Sequence, residues 1–338
     1  MTKKIKILGS GILIIAAVAA IAVISLIKPV EKTVQPLLKL KVGGHTTMLS
    51  AVLEVAQSKG FFQQEGLDVQ IERIESSKIT LPALEKGELD IIIASRSAGT
   101  FNALAKSPKL QIIADAARVT PVLLVRKDLA DQIKTISDLK EKSIATPREG
   151  SASQYALVKI LESASLTIKD ISAKSLDQQP AVAALEAKNL DAGIINEPFA
   201  TIAINKGIAN ALAANEIKKI FPAGQQNMIL LSTTDVLNTK TEAIKKFFIA
   251  YKKAAQYYNQ GKTGQQPQRQ EVIKIVADYT NTEQEIVDKS MWIEINNDLK
   301  PDIVEMTAAQ DWYFANGLLD QKIDLTKKTD FNFLPPIN

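Results

Sequence analysis

Cysteine is absent from the 338 residues, and histidine occurs once, at His45. Without cysteine there is no disulfide, thiolate zinc site, iron–sulfur cluster, cysteine nucleophile or acylated cysteine. A single histidine leaves no histidine-rich metal site and confines any histidine-based triad to His45. No metal and no cofactor are expected. Aromatic residues are scarce at 5%, but an apolar fraction of 46% suffices for real cores, and the length suits two domains of ordinary size. Most of the chain also lacks a charge excess. The formal net charge of +4 suggests a polyanionic partner. Yet residues 1–36 hold Lys3, Lys4, Lys6, Lys28 and Lys32 against Glu31 alone. Removing these from the 41 basic and 37 acidic residues leaves 36 of each. A neutral body shows no basic stripe, so nucleic-acid binding is not expected.

The one long apolar run is Ile7–Ile27, 21 residues without a charge. As a helix rising ~1.5 Å per residue it would span roughly 30 Å, the thickness of a bilayer core. The three lysines before it predict residues 1–6 in the cytoplasm and everything beyond the run exported. Two readings stay open: an uncleaved transmembrane anchor over 7–27, favoured by the length, and a signal peptide cleaved near Ala20-Ile21-Ala22. Residues 28–37, with Pro29 and Pro36, read as a linker.

Past the linker, short β-branched runs alternate with helical patterns, which predicts an α/β fold. Strands are expected at Leu38–Val42, Leu67–Ile74, Leu89–Ala94 and Leu110–Ala114, with helices over Thr46–Lys59, over Leu81–Lys86 and from Ala98. An internal echo organises this pattern. Ala83-Leu84-Glu85-Lys86-Gly87-Glu88-Leu89-Asp90 recurs as Ala184-Leu185-Glu186-Ala187-Lys188-Asn189-Leu190-Asp191. Each copy precedes an apolar strand, and the segments upstream correspond in the same order, so two similarly built lobes are expected. The run Arg118–Arg126 reads as a crossing into the second lobe and Gln226–Leu231 as the return. The expected layout is 38–119 for the first part of lobe one, 120–228 for lobe two and a mostly helical 229–338 completing lobe one. Ile244, Phe247, Phe248, Tyr251, Ala255 and Tyr258 form one apolar face at helical spacing, a core face. Asn259–Gln270 reads as a loop.

Gly60-Phe61-Phe62-Gln63-Gln64-Glu65-Gly66-Leu67-Asp68-Val69 resembles a phrase of the extracytoplasmic solute-binding proteins of ABC importers. The branch is the one for nitrate, for taurine and alkanesulfonates, and for thiamine-pyrimidine precursors. Gly87-Glu88-Leu89-Asp90-Ile91, Ile136-Ser137-Asp138-Leu139-Lys140, Glu149-Gly150-Ser151 and Glu197-Pro198-Phe199-Ala200 are similar to further segments of that family, over roughly 38–325. The resemblance implies a type II periplasmic-binding-protein fold, two α/β lobes joined by two crossovers around a hinge cleft. It also implies a small-molecule solute, an ABC permease and ATPase as partners, and a place on the extracytoplasmic face of the membrane, where the apolar run over 7–27 would hold the chain if it is not cleaved. A monomer without enzymatic activity is expected.

Ligands of open α/β sheets bind beyond the carboxyl ends of the strands, where helix N-termini offer free N–H groups to anions. Four loops occupy such positions. The first holds Gly44, His45, Thr46 and Thr47, whose hydroxyls either cap the helix or meet the ligand. Ser95, Arg96 and Ser97 form the second, with Arg96 the leading bidentate anion clamp. Ser151 and Ser153 lie in the third, where Arg148 is expected to pair with Glu149 or water. The fourth contains Asn196 and Glu197, the latter either structural or a ligand contact. Arg118, at the crossing, is a further candidate. These residues favour a small anionic or zwitterionic solute of the sulfonate, taurine or nitrate class. A thiamine-pyrimidine precursor competes, although the four loops show no aromatic cage. Two other classes remain: a membrane-tethered solute sensor and a pyrimidine-synthase-like enzyme. Gly261-Lys262-Thr263 resembles a P-loop tail, but Gln256 stands where its first glycine belongs.

Overall fold

The computed structural model describes residues 36–73 and 77–336, and the side chains of 77–79 are not described. The expected membrane segment 7–27 therefore lies outside the described residues, as does most of the linker. No helix among the described residues is long and apolar enough to cross a membrane.

Among the described residues, ten strands form two five-stranded sheets. They are β1 (Leu38–Gly44), β2 (Leu67–Arg73), β3 (Ile91–Ser95), β4 (Leu110–Val119), β5 (Val122–Arg126), β6 (Ser143–Thr146), β7 (Ser172–Ser175), β8 (Ala192–Ile195), β9 (Ala209–Ala211) and β10 (Gln225–Thr233). The orders are β2-β1-β3-β10-β4 and β7-β6-β8-β5-β9. In the first, β1 runs parallel to β2 and β3, while β10 is antiparallel to β3 and β4. The second repeats this with β6 parallel to β7 and β8, and β5 antiparallel to β8 and β9. Each antiparallel strand is thus the one arriving from the other sheet. The chain passes from β4 to β5 over Thr120-Pro121, where proline has no N–H to continue a ladder.

The internal echo has a physical cause. Asp90 Oδ2 accepts from Lys41 N at 2.9 Å while Asp90 N donates to Lys41 O at 2.8 Å. In the second sheet Asp191 Oδ2 accepts from Ser143 N at 2.9 Å, and Asp191 N donates to Ser143 O at 3.0 Å. Each Leu-Asp pair therefore pins the start of one strand to a parallel neighbour, β3 to β1 and β8 to β6. The turn before it is also shared. Gly87 and Lys188 both take left-handed backbone, φ 75° and 63°, and each donates to the carbonyl three residues back, at 3.1 Å. A chain reversal at a helix C-terminus needs that conformation; glycine adopts it freely and lysine at a cost of about 1 kcal/mol.

The predicted core face of the long helix Thr241–Lys262 is buried throughout. Phe247 stacks on Phe62 with ring centroids 5.3 Å apart and on Tyr251 at 5.7 Å. Burying each such aromatic side chain contributes roughly 1.5–3 kcal/mol. Several expected boundaries shift: β4 runs on to Val119 past the expected end at Ala114, and β3 begins at Ile91, not Leu89. The helix placed over Thr46–Lys59 begins as a single tight turn, Met48–Ser50, and becomes α-helical only over Ala51–Ser58. The loop placed over 259–270 shrinks, because helix runs to Lys262 and resumes over Gln268–Thr280. Gly261 is helical: a Cβ there would sit 3.0 Å from Gln268 O, so this glycine permits a close helix–helix corner.

Candidate ligand-binding site

The parallel strands β1, β3, β6 and β8 send four loops toward the junction of the two sheets, and these rims touch. Ala98 N donates to Gly150 O at 2.9 Å. Gly150 has φ +72°, and a Cβ on it would lie 2.9 Å from that of Ala98, so only glycine fits this approach. Tyr313, on the helix Ile303–Ala315, donates to Arg96 O at 3.3 Å and Ser151 O at 3.2 Å. Gln225 Nε2 reaches Ala152 O at 2.8 Å.

Arg96 lies within this junction, fully buried. Its Nε donates to Gln226 O at 2.7 Å, and its guanidinium covers the Tyr155 ring at 5.2 Å. Neither Nη1 nor Nη2 has a hydrogen-bond partner. The nearest carboxylate oxygen, Glu305 Oε1, is 3.7 Å from Nη2, too far for a hydrogen bond. A buried guanidinium with open donors is costly unless something negative completes its shell. Thr146 Oγ1, at the end of β6, is likewise buried without a partner.

Arg118 is engaged differently. Its Nε donates to Ala223 O and Nη2 to Gly224 O, both at 3.0 Å, and Nη2 also meets Glu305 Oε2 at 2.5 Å. Its Nη1 stands 3.8 Å from Asp115 Oδ2. Asp115 also accepts from Gln226 Nε2 at 3.2 Å and Asn296 Nδ2 at 3.4 Å. Burial pushes its carboxyl up to about 7; Arg118 and Gln226 act in the opposite direction. Arg118 thus ties β4 to the turn before β10 and to the helix Ile303–Ala315.

The other predicted residues divide into caps and rim contacts. Thr47, Ser97 and Ser151 cap helical turns, accepting from Leu49 N at 3.3 Å, Thr100 N at 3.4 Å and Gln154 N at 3.1 Å. Thr46 is exposed, and Gly44 is buried against Leu53 and Ser50. The His45 backbone is held by Ser50 Oγ at 3.0 Å and Tyr279 Oη at 2.6 Å. Ser95 O accepts from Thr100 Oγ1 at 2.7 Å. Buried Ser153 brings its Oγ to 3.5 Å from Asn196 Oδ1. Glu197 accepts from Thr201 N and Oγ1, and its Oε1 also takes Met291 N at 3.0 Å, bridging two distant segments. Asn196 and Glu197 line a small cavity of about 20 Å³ with Met48, Leu49 and Thr120. Arg148 pairs with Asp177 at 3.5 Å, not with Glu149.

Sequence reasoning missed Asp115, Tyr155, Gln226, Glu305 and Tyr313. Aromatic side chains do flank Arg96, but they come from helices: Tyr155 lies 6.1 Å from Tyr313 and 5.9 Å from Trp312. No local pattern marks a glutamate 209 positions from the arginine it faces.

A relative from Brucella abortus (strain 2308), described as a candidate binding protein, is 25% identical over 210 residues, 62% of this chain and 63% of the relative. One from Brucella melitensis biotype 1 matches to the same extent, so the chain spans under two thirds of these relatives' length. Among solved structures, the alkanesulfonate-binding protein SsuA from Xanthomonas axonopodis pv. citri, bound to MOPS, aligns with a TM-score of 0.67 at 20% identity, over 88% of this chain and 99% of that one. The periplasmic aliphatic sulphonate binding protein SsuA from Escherichia coli gives 0.70 at 19%, over 86% and 91%. The periplasmic nitrate-binding protein NrtA from Synechocystis PCC 6803 gives 0.67 at 15%, over 88% and 87%. These likenesses establish the periplasmic-binding-protein fold. Residues 49–261 match the family model described as NMT1/THI5 like, and the chain belongs to that family.

Proposed function

We propose that this chain is the extracytoplasmic solute-binding component of an ABC importer, with residues 7–27 anchoring it at the membrane. It captures a small anionic or zwitterionic solute of the sulfonate, taurine or nitrate class and delivers it to a permease. Residues 38–119 with 229–338 act as one lobe and 120–228 as the other, the second division falling within β10. The lobes close because the ligand contacts both rims more favourably when they meet. One observation carries the ligand class: the fully buried Arg96 guanidinium with neither amino group hydrogen-bonded. Those two groups match the oxygens of a sulfonate, nitrate or carboxylate. The Tyr155 face, which a pyrimidine would need for stacking, is covered by Arg96 itself.

Calorimetry on the full chain with ethanesulfonate, taurine, nitrate and a thiamine-pyrimidine precursor tests this reading. Binding of an anion that Arg96→Ala abolishes is expected. Binding of the neutral heterocycle alone, unchanged in Arg96→Ala, would overturn it. Delivery is tested by deleting the gene: unchanged cellular uptake of the bound solute would remove the transport role.

A further inference from the structure

The charged side chains behind Arg96 form a row of alternating sign, buried except at Glu305, whose side chain is about a fifth exposed. Arg96 Nη2 lies 3.7 Å from Glu305 Oε1, Glu305 Oε2 lies 2.5 Å from Arg118 Nη2, and Arg118 Nη1 lies 3.8 Å from Asp115 Oδ2. Gln226 joins the two ends, since its carbonyl accepts from Arg96 Nε, its N–H donates to Glu305 Oε1 and its side chain donates to Asp115. With both carboxyls ionised, the two cations and two anions cancel. An anion placed on the open Arg96 donors then leaves one uncompensated negative charge among largely buried groups, where charge imbalance is expensive.

We infer that capture of an anion at Arg96 is coupled to uptake of one proton by Asp115, which keeps the row neutral. This rests on the anion reading above. Only an O–H bond forms, and the proton comes from solvent. Asp115 is the member suited to accept it. Arg118 and Glu305 already share a short contact, while Asp115 stands 3.8 Å from Arg118 and is otherwise met by the neutral donors Gln226 and Asn296. The remaining facing group is Tyr251 of the helix Thr241–Lys262; its hydroxyl donates to Ala116 O, and burial keeps it protonated. The carboxyl of Asp115, pushed up to about 7 by burial, changes charge in the accessible pH range.

The test is titration calorimetry of the full chain with ethanesulfonate, which stays ionised throughout, in Tris and in imidazole. Sulfonate buffers are avoided because they resemble the ligand. At pH 7.5 the dependence of the heat on buffer ionisation enthalpy should report uptake of about half to one proton, and at pH 5.5 none. The dissociation constant should weaken by up to about tenfold per pH unit above 7. Asp115→Asn should bind with no proton uptake and a flat pH profile. Binding without uptake in the wild type at pH 7.5, or unchanged uptake in Asp115→Asn, would overturn the coupling while leaving the anion reading intact. The wild-type titration decides the question even if the variant fails to fold. No binding of ethanesulfonate, taurine or nitrate at any pH removes the anion reading and this inference with it.

Discussion

Replacing Arg96 with methionine separates a ligand-binding arginine from a core-building one by the sign of its effect on stability. The variant loses the Arg96–Gln226 hydrogen bond and the stack on Tyr155. Those are worth about 1.5–3 kcal/mol for a hydrogen bond from a charged group and about 1–2 kcal/mol for a desolvated cation over a ring. It also removes a guanidinium buried with neither amino group hydrogen-bonded, a burden of several kcal/mol, which methionine of similar reach does not carry. Without anion, and below about pH 7 where a proton on Asp115 keeps the row neutral after the guanidinium is lost, the terms nearly cancel, and the variant should unfold within about 2 kcal/mol of the wild type. With anion the outcomes diverge. Two charge-assisted hydrogen bonds of about 1.5–3 kcal/mol each place the loss of affinity at roughly 10²- to 10⁴-fold. Anion at 100 times its dissociation constant adds about 2.7 kcal/mol to the wild type, a rise of about 5 °C in Tm, and nothing to the variant. Thermal unfolding with and without ethanesulfonate reads both numbers. A variant destabilised by more than about 5 kcal/mol without anion, yet still stabilised by it, would show Arg96 to be a core-building residue and not the anion's partner.

Three further outcomes are expected. Lys188→Gly relieves left-handed strain at the site where its counterpart is Gly87, so urea unfolding should show a gain of about 0.5–1 kcal/mol, and a loss would contradict the equivalence of the two turns. Asp90→Ala and Asp191→Ala each orphan the N–H they satisfy and should cost about 1–3 kcal/mol. The double variant should be additive, because the two pins lie in different sheets. In Asp115→Asn the pH dependence of stability should flatten. The folded wild type holds this proton more tightly than the unfolded chain, so its contribution is complete below about pH 4 and is lost as pH rises through about 7, on the order of 4 kcal/mol in all. Urea unfolding from pH 5 to 8 measures it, and parallel wild-type and variant curves would be the contrary result.

What the sequence disclosed was what repeats or recurs locally. The Leu-Asp pairs were visible because each copy performs the same task, one carboxylate spanning to a neighbouring strand. The face from Ile244 to Tyr258 was visible because burial on one side of a helix imposes its period. The fold family was legible from the resemblance of segments such as Gly60–Val69. The surroundings of Arg96 were not visible. Glu305 and Tyr313 come from a helix late in the chain whose apolar residues lie on more than one side, so no stripe marks its inner face. Arg96 and Arg118 look alike as arginines at strand ends. Only packing separates the one with both amino groups open from the one with only Nη1 open and the rest tied to Ala223, Gly224 and Glu305. Gly261 and Gly150 also show their purpose only when a partner backbone or side chain arrives from elsewhere in the chain.

An anion seated on Arg96 where the two sheet rims meet should be visible in a crystal structure of the full chain grown with the tightest-binding anion from the calorimetric series. Anion oxygens are expected within hydrogen-bond distance, about 2.7–3.0 Å, of both Arg96 Nη1 and Nη2. An anion bound elsewhere, with those two nitrogens donating to protein carbonyls instead, would contradict that placement.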